Sequence, residues 1–129
     1  MRVDRMTGIA REELNRLRVD FPSITPVANF STQELVEMFM VEIPDSRQRT
    51  PAKRYRCVVD LRGSTFLTHV LNPPPQKHPH VYTSSILPGT KQPTKLVCQG
   101  PVNGITDTIR NTLGKIGAYL NHIITVLNT

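Results

Sequence analysis

The strongest periodic signal in the chain lies at its end and constrains what the rest must provide. Ile105, Ile109, Leu113, Ile116, Leu120, Ile123, Ile124 and Leu127 recur at steps of three or four, the spacing that lines up one face of an α-helix. A helix with so wide an apolar stripe has to lay it on a second layer. Asn103 or Thr106 is available as its N-cap. Gly114 and Gly117 inside it each cost about 1 kcal/mol relative to alanine in an exposed helix, which points to close approach by another backbone.

The preceding sequence reads as that second layer. Ala10, Leu14, Leu17 and Phe21, with Arg11, Glu12, Glu13, Arg16 and Arg18 between them, describe an amphipathic helix from roughly Thr7 to Asp20, stopped by Pro22. Beyond a polar turn at Ser23 to Thr32, Gln33 to Ile43 carries Leu35, Val36, Met38, Phe39, Met40 and Val41 and is expected to be a strand. Asp45 to Lys53 reads as an exposed turn, Tyr55 to Leu61 as the next strand, Arg62-Gly63-Ser64 as a turn and Thr65 to Leu71 as a third strand. Connections this short pair neighbouring strands into an antiparallel meander. Pro73, Pro74 and Pro75 then stop the sheet, because proline has no ladder donor. From His78 to Pro101, prolines and glycines punctuate what reads as a long structured loop with one short strand at Lys95 to Cys98. The fold class expected is α+β: an N-terminal helix, an antiparallel meander sheet and a C-terminal helix. With 129 residues the chain has length for one such domain, spanning 1–129.

No apolar stretch approaches the ~20 residues needed to cross a bilayer, and no signal-peptide core follows Met1-Arg2-Val3-Asp4-Arg5. A cytoplasmic protein without membrane contact is the expectation. A chain with its own core does not need a disulfide, so Cys57 and Cys98 are expected as thiols. The net charge of +6 is concentrated at Arg47, Arg49, Lys53, Arg54 and Arg56, within ten residues that contain no acid. Such a run suits a solvated edge or an acidic protein partner. Only Tyr55 interleaves it with an aromatic ring, so nucleic-acid binding is poorly supported.

Three groups carry possible chemistry. Cys98 follows the apolar pair Leu96-Val97 and precedes Gln99-Gly100-Pro101, which places a thiol at a strand end beside a loop, whereas Cys57 lies within an alternating strand and reads as a small buried apolar residue. His78-Pro79-His80 holds two imidazoles on either side of a rigid residue, fit for hydrogen bonding or for metal. A zinc site from His78, His80, Cys98 and His69 has suitable ligand types but lacks the paired short spacings of zinc motifs. A Cys-His hydrolase is the third option, though no orienting Asn or Asp is evident.

The order of helix, three-strand meander, proline-rich crossing, His78-Pro79-His80, strand ending in Cys98 and final helix resembles the ubiquitin-conjugating family over nearly the whole chain. In that family a His-Pro-Asn motif lies shortly before the active cysteine. Here His80 replaces the Asn, and Val81-Tyr82 and Leu96-Val97-Cys98 are similar to the prokaryotic branch, whose members in some cases work in antiphage operons. The resemblance implies that Cys98 takes a ubiquitin-like protein as a thioester from an activating-enzyme-like protein and passes it to a target protein, with no cofactor. It implies that His80 supports the oxyanion, that His78, Pro79 and Tyr82 support the loop, and that Arg11, Arg16, Arg18, Arg47 and Arg49 meet the partner. The loop between His80 and Cys98 is longer than the family's, and no tryptophan follows the cysteine. A non-catalytic interaction domain of the same fold, or a basic nucleic-acid-binding domain, is the competing expectation.

Overall fold

The computed structural model describes residues 8–63, 66–98 and 115–129. The expected start of the first helix at Thr7, the third strand's first residue Thr65, the segment Gln99-Gly100-Pro101, the caps Asn103 and Thr106, and the helix residues from Ile105 to Gly114 lie outside them.

The chain is α+β, with a helix towards each end and antiparallel sheet between. Its elements are β1 (Ile9–Ala10), α1 (Arg11–Leu17), β2 (Thr25–Pro26), β3 (Leu35–Val36), β4 (Met38–Pro44), β5 (Arg54–Asp60), β6 (Leu67–Val70), β7 (Val81–Ile86), β8 (Pro93–Val97) and α2 (Lys115–Leu127). β1 and β3 form a small ribbon, and the main sheet has the order β2-β4-β5-β6-β8-β7. The expected antiparallel meander is present as β4, β5 and β6, with Val41 opposite Cys57 and Cys57 opposite Val70. Phe39, Val41, Ile43, Tyr55, Cys57, Val59, Leu61, Phe66 and Val70 are buried in a single core cluster with Ile116, Tyr119, Leu120, Ile123, Val126 and Leu127 of α2. Each such aliphatic side chain contributes about 1.5–3 kcal/mol on burial.

Several expectations change. Helix α1 is shorter than the expected Thr7-to-Asp20 span: Ala10 is exposed and belongs to β1, while Leu14 is buried and Leu17 and Phe21 pack against the core. The strand expected from Gln33 to Ile43 is broken at Glu37 into β3 and β4, because β3 turns to pair with β1. Gly8 permits that pairing, since a Cβ there would stand 2.7 Å from the Val36 carbonyl oxygen. Gly117 approaches the Leu17 side chain, 3.3 Å from where its own Cβ would be, rather than a backbone. The largest correction concerns residues 78–98, expected as a loop with one short strand. They form a β-hairpin, β7 against β8, with Ser85 opposite Thr94. Its turn is closed by Leu87 N–H to Gln92 O at 2.9 Å and contains Gly89 at φ 76°. Proline density argued against a strand here, yet Pro93 begins β8, where its missing donor is tolerated.

The Asp45-to-Lys53 connection is a turn as expected, but it is anchored from within. Asp45 is buried, and one carboxylate oxygen accepts from the Thr50 N–H at 2.7 Å and the Thr50 hydroxyl at 2.9 Å. Burial pushes its pKa up, but hydrogen bonds from Thr50 and Arg49 outweigh this and hold the carboxyl below its ordinary 3.8. Stability from this group is therefore full above the ordinary carboxyl range and is lost as pH falls through the lowered value. Asp45→Ala should cost about 1–3 kcal/mol in a denaturant titration at neutral pH, with the difference from the wild type shrinking in acid.

Candidate functional site

The turn that enters β7 is built on a buried imidazole. The residue before a proline is driven to extended backbone, and His78, buried beside exposed Pro79, begins a tight reversal in which Val81 N–H faces the His78 carbonyl at 3.5 Å. His78 Nδ1 accepts the His80 N–H at 2.9 Å, so the neutral ring carries its proton on Nε2, which donates to the Leu127 carbonyl at 2.9 Å. Arg49 Nη1 lies 2.7 Å from the same Nε2 and donates to the same carbonyl at 3.1 Å. Nε2 cannot accept from Arg49 while donating to Leu127, so we assign the Arg49 bond to the carbonyl. Burial, opposed by the bond to Leu127 and reinforced by the charge of Arg49, lowers the His78 pKa. His78 is thus a neutral structural tie between the end of α2 and the turn.

That turn holds Cys98. The His80 carbonyl accepts the Cys98 N–H at 2.6 Å, so the contact between these two residues runs through the backbone. His80 is half-buried, its ring edge-on to that of His78 with centroids 6.2 Å apart. Val81 pairs with Val97 and Thr83 with Leu96, which leaves Tyr82 as an extra residue in β7. A bulge of this kind redirects a side chain. Tyr82, 52 % exposed, brings its hydroxyl to Cys98 Sγ at 3.4 Å as a donor. The hydrogen bond to Cys98, the charge of that residue and slight desolvation all raise the Tyr82 pKa, so the phenol keeps its proton at neutral pH. Cys98 is half-buried and accessible at the end of β8. Cys57 is the contrast: it is buried in the core and its thiol is pushed up to about 12 by burial.

The structure therefore brings together Cys98, Tyr82, His78, Pro79 and His80. It does not bring His69 to them as a zinc ligand. His69 lies on β6 with Nδ1 engaged by the Thr94 hydroxyl at 2.8 Å, and both nitrogens of His78 are occupied by backbone groups. Among the described residues no three acidic, Cys or His side chains gather as a metal cluster. The arginines divide. Arg47 Nε donates to the Asn128 carbonyl at 3.2 Å, and Arg49 Nη2 to the Thr129 carbonyl at 2.6 Å, so the start of the basic run caps the carboxyl end of α2. Arg11 donates to the Thr32 carbonyl at 2.6 Å and Arg18 to that of Ile24 at 3.0 Å, while Arg16 pairs loosely with Glu12 at 3.3 Å on the surface. Sequence reasoning grouped Tyr82 with loop support and did not foresee its contact with sulfur. The Val-Tyr pair at the strand start was the available signal, but the bulge that aims it has no local signature.

Two measurements follow from this geometry. Iodoacetamide should label Cys98 and spare Cys57 in the folded protein, and Tyr82→Phe should slow Cys98 labelling severalfold by removing a donor that favours the thiolate. Equal protection of both thiols would remove Cys98 as a reactive group. His69 is also held below its ordinary pKa, burial leading, with Arg62 adding and Asp60 opposing. Since the unfolded chain protonates these imidazoles near 6.5 and the folded chain only at lower pH, stability is full above about 6.5 and declines below it. Unfolding free energy followed from about pH 8 to about pH 5 should fall, and His78→Gln should flatten part of that fall. No helix among the described residues is long and apolar enough to cross a membrane. Compared with protein-family models, with curated proteins and with solved structures, the chain matches none.

Proposed function

We propose that this chain is a carrier of the ubiquitin-conjugating type, in which Cys98 accepts a ubiquitin-like protein as a thioester. The observation that carries the reading is the Tyr82 hydroxyl on Cys98 Sγ at 3.4 Å, beside a His78–His80 turn whose carbonyl fixes the Cys98 backbone. The element order supports it: a helix, an antiparallel meander, a His-Pro-His turn and the cysteine on the next strand pair.

In the proposed step the Cys98 thiolate attacks the carbonyl carbon of the thioester that joins the ubiquitin-like C-terminus to an activating enzyme. A tetrahedral oxyanion forms, the activating enzyme's thiolate leaves with the C–S electron pair, and one thioester replaces another of similar energy. Tyr82 favours the attacking thiolate by donating to sulfur. The His80 ring is the proposed N–H donor to the oxyanion, standing where the ubiquitin-conjugating family uses an amide. No cofactor is needed for exchange. An amine, water or a second thiol of the target then discharges the carrier.

On this reading Arg11, Arg16 and Arg18 on and beside α1 contribute to the face that meets the activating enzyme. Arg47 and Arg49 contribute indirectly, because reversing Arg49 would break the cap on α2 and the support of His78 along with any partner contact. A non-catalytic interaction domain would need no donor aimed at sulfur, and the basic run lacks the stacking rings of a nucleic-acid surface.

With an activating-enzyme-like protein, a ubiquitin-like protein and ATP, the wild type should form an adduct that a thiol reductant removes. Cys98→Ser should convert it to an oxyester that survives the reductant. His80→Ala should slow transfer by about 10²- to 10³-fold, more than it weakens partner binding, and His80→Asn should recover part of the rate. Full transfer by the Cys98 variant would refute the assignment, and full transfer by His80→Ala would remove His80 from it.

A further inference from the structure

β7 is the last strand of the main sheet; the outer side of its first residue, Val81, is bridged by His78, and among the described residues nothing pairs with the outer side of Ser84 and Ile86. The register shows which of its groups are left over. Leu87 donates to Gln92, and antiparallel bonding alternates, so Ser85 and Thr83 face β8 while the N–H and C=O groups of Ser84 and Ile86 point outward. Pro93 agrees with this phase, because it lies opposite Ile86 in a position that asks no donor of it. Natural edges are usually blunted by charge, proline or cover. β7, with the sequence Val-Tyr-Thr-Ser-Ser-Ile, has neither charge nor proline in a chain of net charge +6, and Tyr82, Thr83, Ser84 and Ile86 are exposed. Its only irregularity is the bulge at Tyr82, which stands at the Cys98 end.

We propose that the open edge of β7 is the docking strand for an extended C-terminal tail of the carried protein, which adds antiparallel to β7 and ends beside Cys98. This rests on the thioester reading given above. An edge of unpaired backbone groups is met by another strand, which pairs through its main chain whatever its side chains. Direction follows from placement: β7 starts next to Cys98 and runs away from it, so an antiparallel strand paired at Ser84 and Ile86 points its C-terminal end toward the sulfur, and its last residues pass the Val81–His78 bridge to reach it. A tail of about six residues at roughly 3.3 Å each is long enough to pair at Ser84 and Ile86 and to leave its last residues beyond the paired edge. On arrival the Cys98 sulfur bonds to the terminal carbonyl carbon, and the tail's former thiol partner leaves with the C–S electron pair and takes up the Cys98 proton.

The probes are two 2-mercaptoethanesulfonate thioesters, one of acetylglycine and one of an acetylated hexapeptide of alternating threonine and valine ending in two glycines. Acylation of Cys98 in the full chain is followed by mass spectrometry. The hexapeptide should react about tenfold faster, the advantage given by two or three added backbone hydrogen bonds. Ser84→Pro, which removes an outward donor that β8 does not use, should abolish that advantage and leave the acetylglycine rate unchanged, whereas Ser84→Ala should preserve it. A hexapeptide N-methylated at alternate amides should also lose the advantage, which keeps the test independent of how Ser84→Pro folds. Equal rates for the two thioesters, or an advantage that survives both N-methylation and Ser84→Pro, overturns the docking strand. If neither thioester acylates Cys98, the thioester reading fails by itself. The edge is then judged by amide exchange with the unreactive hexapeptide carboxamide, where protection of Ser84 and Ile86 upholds strand addition and unchanged exchange refutes it. A concentration-dependent dimer lost in Ser84→Pro would give the edge to a second copy of this chain and overturn the proposal.

Discussion

The hydrogen bonds of His78 join the end of helix α2 to the far side of the sheet, and the Cys98 site depends on them. One ring nitrogen donates to the Leu127 carbonyl and the other receives the His80 N–H, whose own carbonyl receives the Cys98 N–H. Such a relay requires a neutral imidazole, because a protonated ring has no acceptor for His80. Burial and the nearby Arg49 guanidinium enforce that state. The sulfur is therefore positioned by the packing of a helix on a sheet as much as by the strand that carries it.

The same region explains where the basic run spends its charge. Ser46 N–H and hydroxyl both donate to the Asn128 side-chain oxygen at 2.8 Å, while Asn128 Nδ2 donates to the Pro44 carbonyl at 3.0 Å. With Arg49 on the Leu127 carbonyl of α2 and Arg47 and Arg49 on the Asn128 and Thr129 carbonyls just past it, the turn after β4 forms a lid on the helix end, complementary to the negative end of its dipole. Asp45 stiffens that turn from inside, so a segment rich in exposed charge has a buried carboxylate at its root. The exposed remainder, Arg54 and Arg56 on β5, faces solvent, with Arg54 reaching Glu42 at only 4.0 Å.

A bulge and an open edge meet at one place. An extra residue in β7 brings Tyr82 to Cys98 and ends regular pairing there, while the strand beyond it keeps outward backbone groups unpaired among the described residues. Bulges near sites re-aim side chains, and edges recruit strands. Their coincidence places a half-buried sulfur and an open stretch of strand edge at one hairpin.

Periodicity and local turn chemistry made the α+β class, the β4–β6 meander, the α2 core face and the contrast between Cys57 and Cys98 readable from the amino acids alone, because each depends on neighbours within a few positions. The hairpin at residues 81–97 was masked by its prolines, since strand composition between Val81 and Ile86 competes locally with breakers whose permitted places, a turn and a strand start, appear only once pairing is known. Arg49 read as a surface charge because the Leu127 carbonyl it donates to is 78 positions away. Tyr82 read as support because its meeting with Cys98 needs a one-residue slip in the ladder. The sequence by itself determined that a helix lies towards each end, that β4 to β6 form a meander between them and which thiol stays out of the core. Only the tertiary structure decided what reaches that thiol, because hydrogen bonds between residues distant in sequence leave no period to read.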